Sequence, residues 1–174
     1  YSTFCPLQRV HGYQTDTEFW RYGEQVEQEA KRYLDLRYRM FPYIYSEAAR
    51  MTFEGSTLMR PLVMDFADDP TALEQNYEYM FGPAFLVPPV LEPGVETLDV
   101  YLPKADPGWI DFWTGKRLAG SRDIWADAPL DRIPLFAKAG SVLPMLPVIQ
   151  HTAAWPLARN VCPVLCESQS IASA

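Results

Sequence analysis

A change in the spacing of apolar residues near Gly82-Pro83 divides this 174-residue chain into two parts. Before it, apolar side chains recur every three or four residues from Glu24 to about Thr52, which is the period of an amphipathic helix. After it, short β-rich runs alternate with turns that contain Pro and Gly, a pattern typical of an antiparallel β-sandwich. We therefore predict an α/β part followed by an all-β part, with a boundary near residues 81–85.

The long predicted helix contains a proline. Pro42 has no N–H to bond the carbonyl of Tyr38, and its ring crowds that turn. We therefore expect a kink or a break near Phe41. The helix should end near Gly55, because glycine readily takes the left-handed conformation that closes a helix.

Two further elements are predicted before the boundary. The run Ser56–Phe66 is apolar on both faces, as a strand buried on both sides should be. Asp69 is a candidate N-cap and Pro70 suits the first helical position, so a short helix is expected over roughly Thr71–Met80. Strands are then predicted at Phe85–Val90, Glu96–Tyr101, Trp109–Trp113, Asp123–Ala126 and within Ile133–Leu146.

The composition argues against several classes of function. Fifteen Lys and Arg against twenty-two Asp and Glu give a net charge of −7, and no basic run could neutralise a row of phosphates, so nucleic acid is not an expected partner. No apolar run approaches the roughly 20 residues that cross a bilayer, so a membrane is not expected either. A soluble protein of the cytoplasm, the periplasm or the exterior would fit, and the compartment stays open.

The cysteines and histidines do not form a recognisable metal site. The three cysteines are Cys5, Cys162 and Cys166, and of the two histidines only His151 lies near the last two cysteines. Their spacing matches neither a structural zinc site nor a disulfide framework. We expect no metal and no cofactor, and the roles of Cys162 and Cys166 stay open.

The first residues carry the strongest candidates for ligand binding. Phe4–Gly12 is predicted to be a strand, and a period of two places Arg9 and His11 on one face. If the strand belongs to a barrel, His11 lies at its C-terminal end, where such folds build their active sites. Its imidazole could donate to one sugar hydroxyl and accept from another. A histidine that only bonds loop carbonyls is the alternative.

The loop that follows, Tyr13–Gly23, mixes carboxylates with aromatic residues. Trp20 could stack on the face of a sugar, with Asp16 or Glu18 accepting from its hydroxyls. In the alternative interpretation, Phe19 and Trp20 anchor the loop to the fold. Asp65 and Asp111 also follow or end predicted strands, and we expect them to fix loops and turns rather than act as an acid or a base.

Six segments, in this order, resemble glycoside hydrolase family 31, the α-glucosidase and α-xylosidase family, over residues 1 to about 152. They are Phe4–Gly12, Arg37–Tyr45, Met59–Leu62, Phe81–Pro83, Trp109–Gly115, and Pro129–Phe136 with Ala139–Ser141. The resemblance implies that residues 1–82 are the C-terminal part of a (β/α)8 TIM barrel, with Phe4–Gly12 as strand seven and Ser56–Phe66 as strand eight. Residues 83–152 then form the proximal C-terminal β-sandwich, and 153–174 an irregular tail that is expected to be poorly ordered.

The resemblance also implies the activity. Family 31 enzymes are retaining α-glycosidases that use two aspartates, a nucleophile and a general acid/base. Both belong to motifs upstream of the seventh strand, and neither motif occurs in this chain, so no residue here is assigned either role. The histidine that matches His11 binds hydroxyls of the cleaved sugar, and Arg9 and Trp20 are weaker candidates for substrate binding. The expected partners are an oligosaccharide or glycoside and the remainder of the barrel.

Two other interpretations of the chain's function remain open. The chain could be a non-catalytic carbohydrate-binding β-module, with an exposed tryptophan such as Trp109 or Trp125 as its sugar platform, or a structural module with no ligand. The sequence does not decide which α-linked sugar is cleaved, because the residues that set it lie mostly on strands outside this chain. It also leaves the oligomeric state open.

Overall fold

The structure, a computed structural model, describes residues 1–154 and 162–165. This part of the chain forms three helices: α1, Glu24–Arg39; α2, Phe41–Glu54; and α3, Pro70–Glu74. The ten strands of the described residues are β1, Met59–Pro61; β2, Tyr79–Phe81; β3, Phe85–Val87; β4, Thr97–Leu102; β5, Trp109–Asp111; β6, Arg117–Leu118; β7, Arg122–Asp127; β8, Phe136–Lys138; β9, Val142–Met145; and β10, Cys162–Leu165. Short 3-10 turns occur at Ser2–Phe4, Phe19–Tyr22, Leu62–Met64 and Thr152–Ala154.

The helical signals in the sequence are confirmed. The predicted long helix is broken at Met40. Pro42 lies in the first turn of α2, where the backbone N–H groups have no acceptor within the helix, so the missing N–H of proline costs no hydrogen bond. Gly55 ends α2 in the left-handed conformation, with a φ of 69°. Asp69 caps α3 by accepting from two backbone N–H groups. However, α3 ends at Glu74, well before the predicted Met80.

The first predicted strand is not present. Residues 5–18 form no strand, because a strand needs a neighbour to bond and the described residues supply none on either side. The strand predicted over Ser56–Phe66 is only β1, and it pairs antiparallel with β2 rather than parallel within a barrel. A 3-10 turn follows β1 directly, so the apolar run bends away from the sheet.

The main sheet has six antiparallel strands in the order β1-β2-β3-β8-β5-β6. The other two sheets are β4 with β7 and β9 with β10. All the predicted β-rich runs contain strands, whereas β2 and β6 were not predicted. The segment 153–174 that was expected to be irregular lies largely outside the described residues, yet β10 within it pairs with β9.

The six-stranded sheet is buried on both faces. Alternate residues of β2 and β3 point to opposite sides: Phe81 and Phe85 pack with Tyr43 of α2, and Leu86 packs toward the β4–β7 ribbon. Phe4 is fully buried in the cluster on the helical side. The sheet is thus the middle layer between helices α1 and α2 on one side and the β4–β7 ribbon with α3 on the other.

Candidate functional site

The segment that leads to the candidate residues is held by an arginine of α1. Its guanidinium donates to three backbone carbonyls at 2.6, 2.8 and 3.0 Å, a bond from Arg37 to each of Thr3, Cys5 and Pro6. On the other side, the hydroxyl of Tyr79 donates to the carbonyl of Phe4 at 2.9 Å. Side chains from α1 and β2 therefore replace the strand neighbours that the segment lacks, and fix where it leaves the core.

Arg9 and His11 come together just after this anchored segment. Nη2 of Arg9 lies 2.9 Å from Nδ1 of His11, and both side chains are exposed. A guanidinium only donates, so Nδ1 accepts and the neutral ring carries its proton on Nε2. The other ring nitrogen is thus left as a donor on an exposed side chain. The prediction that these residues share a face is confirmed, although the backbone is extended without being a strand.

The loop after His11 folds back on itself. A side chain at Gly12 would collide with Thr17 and with the carbonyl of Thr15, so only glycine fits this close approach. Asp16 pairs with Arg21 at 2.6 Å, and its carbonyl accepts from the hydroxyl of Tyr22. Asp16 therefore stabilises the loop through Arg21 and Tyr22.

Trp20 lies in the 3-10 turn Phe19–Tyr22 and is 65% exposed. No hydrogen bond of the described residues joins it to Arg9 or His11. Phe19 is half-buried, so it is the residue that anchors the loop, while Trp20 is left with an open ring face. A role for Trp20 in sugar stacking stays a prediction.

The two other aspartates have structural partners, as expected. Asp65 accepts from Nε and Nη2 of Arg60 at 2.8 and 2.9 Å, in a bidentate pair that fixes the end of β1. Asp111 accepts from the backbone N–H groups of Trp113 and Thr114 and closes the turn after β5. Neither is arranged as a nucleophile or a general acid.

The surroundings of Trp109 and Glu78 were not foreseen from the sequence. Trp109 is fully buried and its indole N–H donates to the carbonyl of Pro103, so it cannot be a sugar platform. Glu78 was not singled out from the sequence, yet its side chain is buried, and burial raises its pKa to about 8. No motif around it distinguishes it from an ordinary surface glutamate; its burial comes from packing between β2 and β4.

No cluster of three His, Cys, Asp or Glu side chains that could hold a metal ion occurs within residues 1–154 and 162–165. None of the helices in that part of the chain has the length and apolar character needed to cross a membrane.

Family models match both parts of the chain. Residues 1–47 match the glycosyl hydrolases family 31 TIM-barrel domain, and residues 55–143 match the glycosyl hydrolase family 31 C-terminal domain. The chain belongs to glycoside hydrolase family 31. It thus carries the end of the family's TIM barrel and its C-terminal domain, as the resemblance implied.

Individual family 31 members agree with this assignment. An α-xylosidase of Saccharolobus solfataricus is 47% identical over 84% of this chain and 20% of its own length. The crystal structure of a family 31 α-xylosidase from Xanthomonas citri superposes with a TM-score of 0.86 at 38% identity, over 94% of this chain and 18% of the other. A Flavobacterium johnsoniae family 31 dextranase, complexed with glucose, gives 0.80 at 32% identity, over 90% and 19%. The chain therefore spans about a fifth of the length of these relatives.

Proposed function

We propose that this chain is part of a retaining α-glycosidase that hydrolyses α-xylosides, with His11 binding a hydroxyl of the sugar that is cleaved. The observation that carries the proposal is the Arg9–His11 pair, which leaves Nε2–H as a donor on an exposed side chain just after a segment anchored to the core. Support for a xyloside comes from α-xylosidases among the relatives, two of which are described above, and the glucose complex of the dextranase makes an α-glucoside the second candidate.

The role of His11 is to orient the substrate. A neutral imidazole with its proton on Nε2 donates to a sugar hydroxyl and holds the ring at a fixed distance from the groups that react. Arg9 sets the tautomer and the ring orientation, so it is a positioning residue. Trp20, with its exposed ring, would cover one apolar face of a bound sugar.

The chemical step belongs to residues outside this chain. In a retaining mechanism a carboxylate attacks the anomeric carbon, and a carboxylic acid protonates the leaving oxygen; water then releases the sugar from the covalent intermediate. Asp16, Asp65 and Asp111 are all engaged in structural contacts and supply neither group. The remainder of the barrel is therefore the partner that completes the site.

Hydrolysis of aryl α-xylosides and aryl α-glucosides tests this function. The complete enzyme that contains this chain should cleave the xyloside with the higher kcat/KM and with retention at the anomeric carbon. The 174-residue chain alone should show no turnover above its His11→Ala variant. Turnover by the isolated chain that depends on His11 would overturn the assignment of the chemical step.

The carbohydrate-binding alternative now rests on Trp125. This side chain is 75% exposed on β7, whereas Trp109, the other candidate, is buried. If the β-rich part alone bound the substrate, sugar affinity would survive deletion of residues 1–80 and would depend on Trp125. In the proposed function, affinity for the cleaved sugar is lost with that deletion.

A further inference from the structure

A cavity of about 350 Å³ lies between β4 and the loops 75–78 and 88–92. Its volume is at the lower end of the roughly 300–1,000 Å³ that is usual for small-molecule sites. Neither Arg9, His11 nor Trp20 lines it. The cavity is therefore separate from the candidate site at Arg9 and His11.

A buried carboxyl group with one unpartnered oxygen lines this cavity. Glu78 is 8% exposed; its Oε1 accepts from the backbone N–H of Tyr101 at 2.8 Å. Its Oε2 is fully buried and has no hydrogen-bond partner among the described residues. A buried polar atom without a partner costs roughly 1–3 kcal/mol, so a shift of the carboxyl that turns this oxygen toward a ligand hydroxyl in the cavity would be favourable.

The electrostatics of the cavity limit the class of ligand. Its polar lining includes Glu92 and Asp99, and no Lys or Arg is among the lining residues. An anionic ligand is therefore disfavoured by like charge, and the absence of a metal-type cluster among the described residues argues against a divalent cation. Burial raises the pKa of Glu78 to about 8, so at neutral pH its carboxyl retains a proton and can donate as well as accept.

The remaining walls are apolar and aromatic. Pro88, Pro89 and Leu91 line the cavity together with Tyr77, which is 69% exposed. A pyranose has an apolar face of C–H groups and a rim of hydroxyls. An exposed tyrosine ring can pack against that face, and carboxyl groups can bond the hydroxyls. A flat apolar ligand would leave the carboxyl groups without partners.

We propose that this cavity binds a neutral saccharide unit, with Tyr77 against one face of the ring and Glu78 and Asp99 bonded to its hydroxyls. The site lies in the part of the chain that matches the family's C-terminal domain, residues 55–143, and goes beyond the function proposed above. It would hold a sugar unit of a substrate or product chain against the C-terminal domain.

The experiment uses the complete enzyme with the substitution His11→Ala, which removes the sugar contact proposed for His11. Any binding that remains then tests the cavity alone, so the two proposals can fail separately. Binding of D-xylose and of D-glucose is followed by saturation-transfer-difference NMR and by titration. Tyr77→Ala should weaken the affinity of at least one sugar by about tenfold, which corresponds to 1.4 kcal/mol. Tyr77 is exposed, so this variant should fold, and its melting temperature serves as the check.

Trp125→Ala is the matched control, because it removes an equally exposed aromatic from β7, and it should leave the affinity unchanged. Glu78→Gln should retain binding, since an amide keeps the bond from Tyr101 and still donates; Glu78→Leu should lose it. Equal affinity in wild type and Tyr77→Ala would overturn the proposal. So would loss of binding with Trp125→Ala alone, or a structure of the complete enzyme in which another segment fills the cavity and bonds Oε2 of Glu78.

Discussion

The guanidinium of Arg9 lies 2.9 Å from Nδ1 of His11, and this contact assigns the proton of the neutral imidazole to Nε2. The two residues are separated by one position, so extended backbone alone brings their side chains to the same side. The anchoring bonds from Arg37 lie only a few residues earlier, which limits how far the pair can move relative to α1. Binding and positioning are therefore divided between two neighbouring residues.

Replacing Arg9 should weaken catalysis only through His11. We expect Arg9→Ala to lower kcat/KM of the complete enzyme by about tenfold, because the imidazole loses the donor that fixes its tautomer. The Arg9→Ala/His11→Ala double variant should be no worse than His11→Ala alone. Kinetics of the four enzymes give the coupling. Arg21→Ala, which removes an exposed arginine of the loop that follows, is the control; strictly additive effects of Arg9 and His11 would contradict the positioning role.

Arg60 and Asp65 should stabilise the start of the six-stranded sheet. Their side chains are 11% and 28% exposed, and the pair is bidentate. We expect Arg60→Ala to lower the local free energy of unfolding by about 2 kcal/mol, since the packing of the buried arginine and its two bonds to the carboxylate are lost. Hydrogen exchange of the β1 and β2 amides measures this loss. Lys31→Ala breaks only the exposed helical ion pair with Asp35 and should cost less than about 1 kcal/mol.

Gly82 permits the contact between the helices and the sheet. Its φ is +58°, and an added Cβ would collide with the hydroxyl of Tyr43, which donates to the carbonyl of Phe81 and accepts from the N–H of Ala84. We expect Gly82→Ala to cost about 2–4 kcal/mol, from backbone strain and the displaced hydroxyl. Gly94 also has a positive φ but open space around it, so Gly94→Ala should cost less. Equal losses in urea denaturation would show that the Tyr43 contact contributes nothing.

Glu78 should make stability depend on pH. Burial raises its pKa to about 8 from 4.5, so the folded state keeps a proton that the unfolded state releases. Its contribution is complete below about pH 4.5 and is lost as the pH rises toward and through about 8. Relative to wild type, Glu78→Gln should therefore be more stable at pH 9 than at pH 4. Melting temperatures at the two pH values measure this, with Glu92→Gln as an exposed control at the same cavity; a constant difference would be the contrary result.

Local signals in the sequence predict the local structure well. The break at Met40, the glycine that ends α2 and the Asp69 cap each depend on a few neighbouring residues, and each is present. The pairing of strands depends on residues elsewhere in the chain, and the predictions that required such pairing were wrong. The segment before Gly12 has no strand because nothing in the described chain pairs with it, and β2 was mistaken for the end of a helix because its apolar run is short.

The candidate site shows the same division. A period of two was enough to place Arg9 beside His11, since the contact is local. Trp109 could not be recognised as buried, because its burial depends on the packing of the sheet against the β4–β7 ribbon. Glu78 was missed for the same reason: its environment is made by Tyr101, twenty-three residues later in the chain.

The most direct test of the account is the effect of His11→Ala on the complete enzyme with an aryl α-xyloside. We expect kcat/KM to fall by about 100-fold or more, because a substrate-orienting hydrogen bond is lost at the cleaved sugar. A Trp125→Ala enzyme, which alters an exposed aromatic of the β-rich part, should keep its wild-type kcat/KM. A His11→Ala enzyme with unchanged kcat/KM and an unchanged fold would contradict the account.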